Sequence, residues 1–401
     1  MDTNNIPGMQ FAITSKDSTL WLGNLGYADL KDEIPVMEET LFRIGSVTKS
    51  FTAVATMILV ERGMLNLDDE LKKIAPEVEF ENLWEDTHPV TIAHLLEHTS
   101  GFDDIHLTEY AQNAEGWTNL EGLQFHPDSR TSRWKPGMHS SYCNSGPVCV
   151  GFAIEKVTGL TYEEFVENNI FRPLGMVHSN FFNTSYTRDH LSVAYRNEEL
   201  DEASYWHIMG RPSGAINSTA AEMAKYIRLF LNRGMVDSVE LLSEASIERI
   251  EHPRTTLAAK AGFREGYGLN IVNRNYKGIK HCGHNGGLEG FRTAMGYFPE
   301  IGLGYVFMIN NSGVGGFSDI DRLITDFIVP DSMKKEAREI ADTSIVVNRE
   351  FTGWYRSANS RAQIAEFAQW LGDIIRIFEK DGKYYYKEIF GPAKRIYPID
   401  E

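Results

Sequence analysis

The chain has 401 residues, 42% of them hydrophobic, and its 56 acidic against 39 basic side chains leave a formal charge of −17. That length allows a large core and more than one domain, while the acidic balance excludes a surface built for nucleic-acid phosphates, which needs clustered lysine and arginine. The longest strongly apolar stretch, residues 51–60, is far too short to cross a bilayer, and three cysteines cannot form a complete disulfide framework.

In chain order, residues 9–15 and 19–27 predict a strand pair around Lys16-Asp17-Ser18. No signal peptide precedes them, and a trimmed export signal would leave no trace, so compartment and oligomeric state stay open. Next comes Phe42-Arg43-Ile44-Gly45-Ser46-Val47-Thr48-Lys49, followed by an apolar run without proline that ends at Arg62-Gly63. The spacing predicts a buried helix with Ser46 at its N-terminus and a glycine stop. Residues three apart share one helix face, so the Lys49 amine can reach the Ser46 hydroxyl and, when neutral, remove its proton. Apolar surroundings would lower the pKa of Lys49 towards the value a base needs. The bland alternative makes Ser46 an N-cap and Lys49 a solvated first-turn residue. Ser132-Arg133-Trp134-Lys135 and Ser332-Met333-Lys334-Lys335 repeat the S-x-x-K spacing without the apolar helix.

Residues 90–98, 147–158, 162–169 and 220–232 have helical periodicity and predict a second, mainly helical lobe inserted at roughly 60–225. Residues 267–273, 279–282, 291–298 and 303–309 predict late strands that share one antiparallel sheet with the early pair. Tyr142-Cys143-Asn144 follows the turn at Pro136-Gly137, and His284-Asn285-Gly286-Gly287 leads into the strand at 291–298. Cys143, Cys149, Cys282 and His281 invite a metal reading, but no Cys-x-x-Cys or His-x-x-x-His pair accompanies them. Adjacent His281 and Cys282 on a strand would also point to opposite faces, so no metal or other cofactor is expected. Residues 351–355, 374–378 and 383–387 predict a β-rich segment with a hairpin turn at 379–382, which divides the chain into 1–344 and 345–401.

Ser46-x-x-Lys49, Tyr142-x-Asn144 and His284-x-Gly286, in that order, resemble the motif set of the penicillin-recognising serine hydrolases. The likeness is to the class C β-lactamase-like branch with its DD-peptidases, D-amino-acid peptidases and esterases. Residues 91–101, 171–176, 212–215, 218–220 and 266–269 resemble further landmarks of that branch. The resemblance implies an α/β fold in which an antiparallel sheet is flanked by helices, with a helical lobe inserted and a short β-rich extension similar to the start of a lipocalin-like domain. It also implies roles. Ser46 would attack a carbonyl; Lys49 and Tyr142 would move its proton to the leaving group; Asn144 would orient Lys49 and the substrate. The N–H groups of Ser46 and Gly287, beside Gly286, would hold the oxyanion. At His284 true β-lactamases carry lysine, whereas a histidine with a pKa near 6.5 is mostly neutral. The expected activity is hydrolysis of small esters or of peptides, D-residue peptides among them. The alternatives are a true class C-like β-lactamase and a non-catalytic penicillin- or peptide-binding protein.

Overall fold

The computed structural model describes residues 5–104, 111–112, 115–125, 127–313, 315–333, 352–355, 359–361, 374–389 and 391–396. The chain divides into two compact units, Met1–Met333 and Lys334–Glu401. In the first, three strands open the chain: β1 (Gly8–Ser15), β2 (Thr19–Asp29) and β3 (Ile34–Pro35). A short pair follows, β4 (Phe42–Arg43) with β5 (Asn217–Ser218), and five strands come late: β6 (Gly266–Tyr267), β7 (Val272–Tyr276), β8 (Ile279–Leu288), β9 (Phe291–Phe298) and β10 (Leu303–Ile309). The helices that matter here are α1 (Thr48–Glu61), α2 (Ile92–Leu96), α3 (Ser145–Thr158), α4 (Tyr162–Val166), α5 (Ala220–Leu231) and α6 (Phe317–Ile328).

One eight-stranded sheet runs in the order β6-β7-β8-β9-β10-β1-β2-β3, every pair antiparallel. Early and late strands join where β1 lies against β10, from Met9 opposite Ile309 to Ser15 opposite Leu303. Strand alternation explains the two layers. Met9 and Ile13 point into a core closed by Phe317, Ile320, Ile324 and Ile328, which recur along one face of α6. Ala12 points the other way, into the larger core that contains α1 and α5. Helix α5, expected in the second lobe, instead packs across β10, β1 and β9. Its N-terminus is tied to the sheet, because the buried Gln10 accepts from Ala220 N at 2.9 Å.

Two strands differ from expectation. Residues 267–273 do not form one strand: Asn270 takes φ +52°, Leu269 N donates to Ile250 O and Asn270 N to Leu96 O. The chain leaves the sheet there to satisfy its backbone on the helical side, then returns as β7. Conversely, β8 runs through the glycines to Leu288 because β9 pairs with it residue by residue from Cys282 opposite Tyr297 to Leu288 opposite Phe291.

In the second unit β11 (Gly353–Tyr355), β12 (Ile375–Lys380), β13 (Lys383–Glu388) and β14 (Lys394–Arg395) pair in sequence order. Lys380 opposes Lys383, so the turn is the two residues Asp381 and Gly382, both at positive φ as a tight hairpin requires. Phe351, expected to begin the first of these strands, lies outside the described residues.

Candidate active site

Ser46 lies in a 3₁₀ turn, Gly45–Val47, directly before α1. The turn is pinned from behind. Phe42 and Arg43 pair with Ser218 and Asn217, Ile44 N donates to Ile216 O at 3.0 Å, and Ile216 N donates to Thr48 Oγ1 at 3.2 Å. Val47, not Ser46, is the N-cap of α1, and it makes no side-chain cap bond. The helix ends as expected, with Gly63 at φ +67°. From Thr48 to Leu59 α1 is buried all round, and its polar side chains are satisfied inside: Thr52 Oγ1 donates to Pro212 O and Thr56 Oγ1 to Thr52 O, each at 2.8 Å.

Lys49 is fully buried, and its Nζ meets three acceptors: Ser46 Oγ at 3.0 Å, Asn144 Oδ1 at 2.7 Å and Ser213 O at 2.6 Å. The surroundings expected to be apolar are therefore a polar cage. An ammonium fills the cage with three N–H donors. A neutral amine gives its two N–H groups to Asn144 and Ser213 and keeps its lone pair for the Ser46 hydroxyl, the arrangement of a general base. Asn144 cannot turn its amide round, because Nδ2 donates to Asp104 Oδ1 at 3.0 Å and Asn144 N donates to the same oxygen at 2.9 Å. The Tyr142 ring lies 5.0 Å from Lys49 Nζ, centroid to nitrogen, and is grouped with His98 at 4.5 Å, Tyr267 at 6.0 Å and His284 at 6.2 Å.

The opposite wall is β8. His284 is buried; its Nδ1–H donates to Asn285 O at 2.6 Å, which leaves Nε2 as a buried acceptor that no group among the described residues meets. Burial first, and then the Lys49 charge, push its pKa down to about 3 against the pull of the Asn285 carbonyl. The expected mostly neutral histidine is thus neutral at any working pH. Two residues on, a Cβ added to Gly286 would sit 1.9 Å from Ile44 O and 3.0 Å from Ser46 N, while one added to Gly45 would sit 2.8 Å from Gly287 N. Gly45 at φ +53° and Gly286 let the Ser46 turn and β8 touch backbone to backbone, which brings the Ser46 and Gly287 amides to one place. Gly287 itself faces open space, with nothing within 4 Å of an added Cβ.

The structure thus brings Ser46, Lys49, Tyr142, Asn144, His284, Gly286 and Gly287 together. Sequence reasoning missed Asp104, Ser213 and the role of Gly45. Asp104 had one signal, its place just after the landmark at 91–101, and Ser213 another, its place inside the landmark at 212–215, although it acts through its carbonyl, which any residue could supply. Ser132 is structural, its Oγ donating to Ser100 O at 2.8 Å with Lys135 exposed, and Lys335 lies outside the described residues. His281 and Cys282 do point to opposite faces, His281 against Phe298 and Cys282 into the larger core. Burial raises the Cys143 thiol to about 11, and among the described residues no three His, Cys, Asp or Glu side chains gather to hold a metal. No helix among them is long and apolar enough to cross a membrane.

Similarity to known proteins agrees with this geometry. The chain is 25% identical over 301 residues to penicillin-binding protein 4* of Bacillus subtilis, a match that takes in 69% of this chain and 62% of that protein. It is 27% identical over 228 residues to a β-lactamase of Yersinia enterocolitica, covering 57% and 56% of the two. It thus spans less than two thirds of the length of either relative. The octameric penicillin-binding protein homologue from Pyrococcus abyssi superimposes with a TM-score of 0.70 at 26% identity, over 99% of this chain and 88% of that one. The model of the Beta-lactamase family matches residues 1–326, and the chain belongs to that family, whose members are serine hydrolases of the β-lactamase and penicillin-binding-protein type.

Proposed function

We propose that this chain is a serine hydrolase that works through an acyl-enzyme on Ser46 and acts on small esters or on peptides, including those with D-residues. The observation that carries the reading is the Lys49 cage, in which Asn144 Oδ1 and Ser213 O take two N–H groups and aim what remains at Ser46 Oγ, 3.0 Å away. Lys49 accepts the Ser46 proton as Oγ bonds to the substrate carbonyl carbon. The carbonyl oxygen gathers negative charge against the amides of Ser46 and Gly287. Tyr142 passes the proton to the departing alcohol or amine, leaving the acyl group on Ser46. Water, deprotonated by the same pair, then releases the acid and restores the serine. Catalysis is assigned to residues 1–344, and the β-rich 345–401 is given no part in it.

His284 supports the choice of substrate. A β-lactam brings a carboxylate that a lysine at this position would meet with a fixed positive charge, whereas Nε2 of His284 offers a lone pair and no charge. Substrates with an N–H or O–H to donate fit that acceptor, a neutral ester needs no cation there, and a carboxylate finds no charge to meet it.

A fluorophosphonate probe followed by intact mass and peptide mapping tests the nucleophile, with a single adduct on the Ser46 peptide expected. No adduct, or one retained by Ser46→Ala, overturns the assignment. Short-chain nitrophenyl esters, D-amino-acid peptides and a chromogenic cephalosporin then rank the substrates. A cephalosporin turned over faster than both other classes would establish the β-lactamase alternative.

A further inference from the structure

Strand β2 has eleven residues, yet β3 pairs with it only at Tyr27 and Asp29. Among the described residues its outer edge from Thr19 to Leu25 has no partner strand. Tyr27 N donates inward to Pro7 O at 2.8 Å, and this fixes the phase of the strand. Odd positions turn their backbone groups to β1, and the N–H and C=O of Leu22 and Asn24 turn outward; the outward carbonyl of Gly26 is taken by Val36 N at 3.0 Å. Sheet edges are ordinarily protected by lysine, proline or an inward charge. From Ser18 to Ala28 this one carries no charge and no proline.

The side chains beside the edge are apolar and exposed. Trp21 and Leu25 lie opposite Ile13 and Met9, so they sit on the α6 side of the sheet, and the Trp21 ring touches that of Phe327 with centroids 5.6 Å apart. Exposure runs from 42% at Tyr27 and 43% at Leu25 through 55% at Trp21 and 57% at Leu20 to 64% at Phe327 and 68% at Leu323. With aromatic side chains of ~150–250 Å² each, these six residues expose on the order of 600 Å². That is the upper limit of what a monomer usually leaves open, ~300–600 Å², and with the strand backbone it approaches the ~800 Å² per partner of a stable interface.

We infer that β2 is an interface between two copies of this chain, pairing antiparallel about a two-fold axis near Leu22. The edge is complementary to itself under that operation. Leu22 meets its own mate, each copy supplying the same outward N–H and C=O, and Asn24 of each copy faces the segment before Trp21, where the register with β1 shifts. The paired segment stops at Leu25, so β3 is not displaced. A second copy suits the edge better than a charged partner would, because the strand is uncharged and the chain's −17 is carried elsewhere.

Sedimentation velocity of the full chain across two decades of concentration tests the proposal. A mass that doubles with concentration is expected, together with slowed amide exchange at Leu22 and Asn24 in the associated form. Raised salt should favour association, since screening relieves net repulsion without weakening apolar contact. Asn24→Pro removes an outward N–H, and Trp21→Lys puts a charge on the patch without touching the backbone. Either variant should halve the sedimenting mass while ester hydrolysis stays unchanged. A monomer at the highest concentration, or an oligomer whose mass survives both substitutions, overturns the interface. Should Asn24→Pro fail to fold, the Trp21→Lys result decides alone.

Discussion

Lys49 on α1 and His284 on β8 both lie beside the Tyr142 ring, both buried, yet the protein treats them differently. Lys49 finds three acceptors within 3.0 Å, one of them held in place by Asp104, so its geometry is complete before any substrate arrives. His284 has one nitrogen spent on its own strand and the other met by no group among the described residues. A buried polar atom without a partner costs ~1–3 kcal/mol, and the described residues carry such atoms away from this site as well, Asn119 Oδ1 and Ser192 Oγ among them. Under the proposed mechanism the α1 side serves proton transfer and the β8 side faces the substrate.

The contrast breaks most severely at Lys49. Lys49→Arg keeps the charge but cannot act as a base at accessible pH, and its forked head cannot fit two short bonds and a lone pair into the cage. General-base catalysis contributes ~10²–10⁴-fold, so kcat/KM on a nitrophenyl ester should fall about a thousandfold. Retention of more than about a tenth of the activity, a loss of only ~1.4 kcal/mol, would show that Lys49 merely positions Ser46.

The two glycines of β8 sharpen the comparison on the other wall. Gly286→Ala drives a Cβ to 1.9 Å from Ile44 O and must push the strand off the Ser46 turn. With one oxyanion donor misplaced, kcat should drop about a hundredfold, the ~3 kcal/mol typical of such a loss. Gly287→Ala meets open space and should stay within about threefold of the parent. Equal effects at the two positions would mean that the contact between turn and strand does not set the oxyanion geometry.

These residues also mark how far the sequence could be read. Ser46, Lys49, Tyr142 and Asn144 were legible because their chemistry resides in side chains at fixed spacing ahead of recognisable helices. The sheet was legible because alternation and strand length survive in residues 9–15, 291–298 and 303–309. What escaped acts through the backbone or through tertiary contact. The carbonyl of Ser213 carries no residue signature, and the positive φ that breaks an apparent strand falls on Asn270, not on the glycine at 268. Gly286 and Gly287 lie beyond the strand expected at 279–282, although pairing with β9 holds them extended. Helix α5 has the same periodicity whether it packs in a lobe or on a sheet, so its pattern could not choose between them.

Asp104 is where sequence and structure differ in a way that kinetics can measure. Asp104→Asn preserves shape but replaces the carboxylate that fixes the Asn144 amide, so that either end of Asn144 can face Lys49. We expect kcat to fall about thirtyfold with KM little changed. The acid limb of kcat/KM should move to lower pH, because an anion near the ammonium has been removed. A purely structural residue would lower thermal stability and leave that limb where it was.

The smallest effect tests the incomplete end of the site. With its pKa near 3 against an ordinary 6.5, His284 gains its proton on unfolding, so its burial lowers stability as pH drops below about 6.5 and has no effect above it. It contributes no ionisation to turnover between pH 5 and 9, and His284→Gln should leave the acid limb of kcat/KM unmoved. His284→Lys puts a cation where Nε2 now offers a lone pair. An ion pair in a partly desolvated cleft is worth ~1 kcal/mol or more, so acylation by a penicillin should rise about five- to tenfold relative to hydrolysis of a neutral ester by the same variant. The ester serves as the control, since strain from a lysine packed in place of an imidazole would slow both reactions together. If the penicillin-to-ester ratio stays level or falls, the lone pair of His284 does not discriminate between substrates, and the preference for neutral esters and peptides must rest on another wall of the cleft, of which the aromatic group Tyr142, Tyr267 and His98 is the next to test.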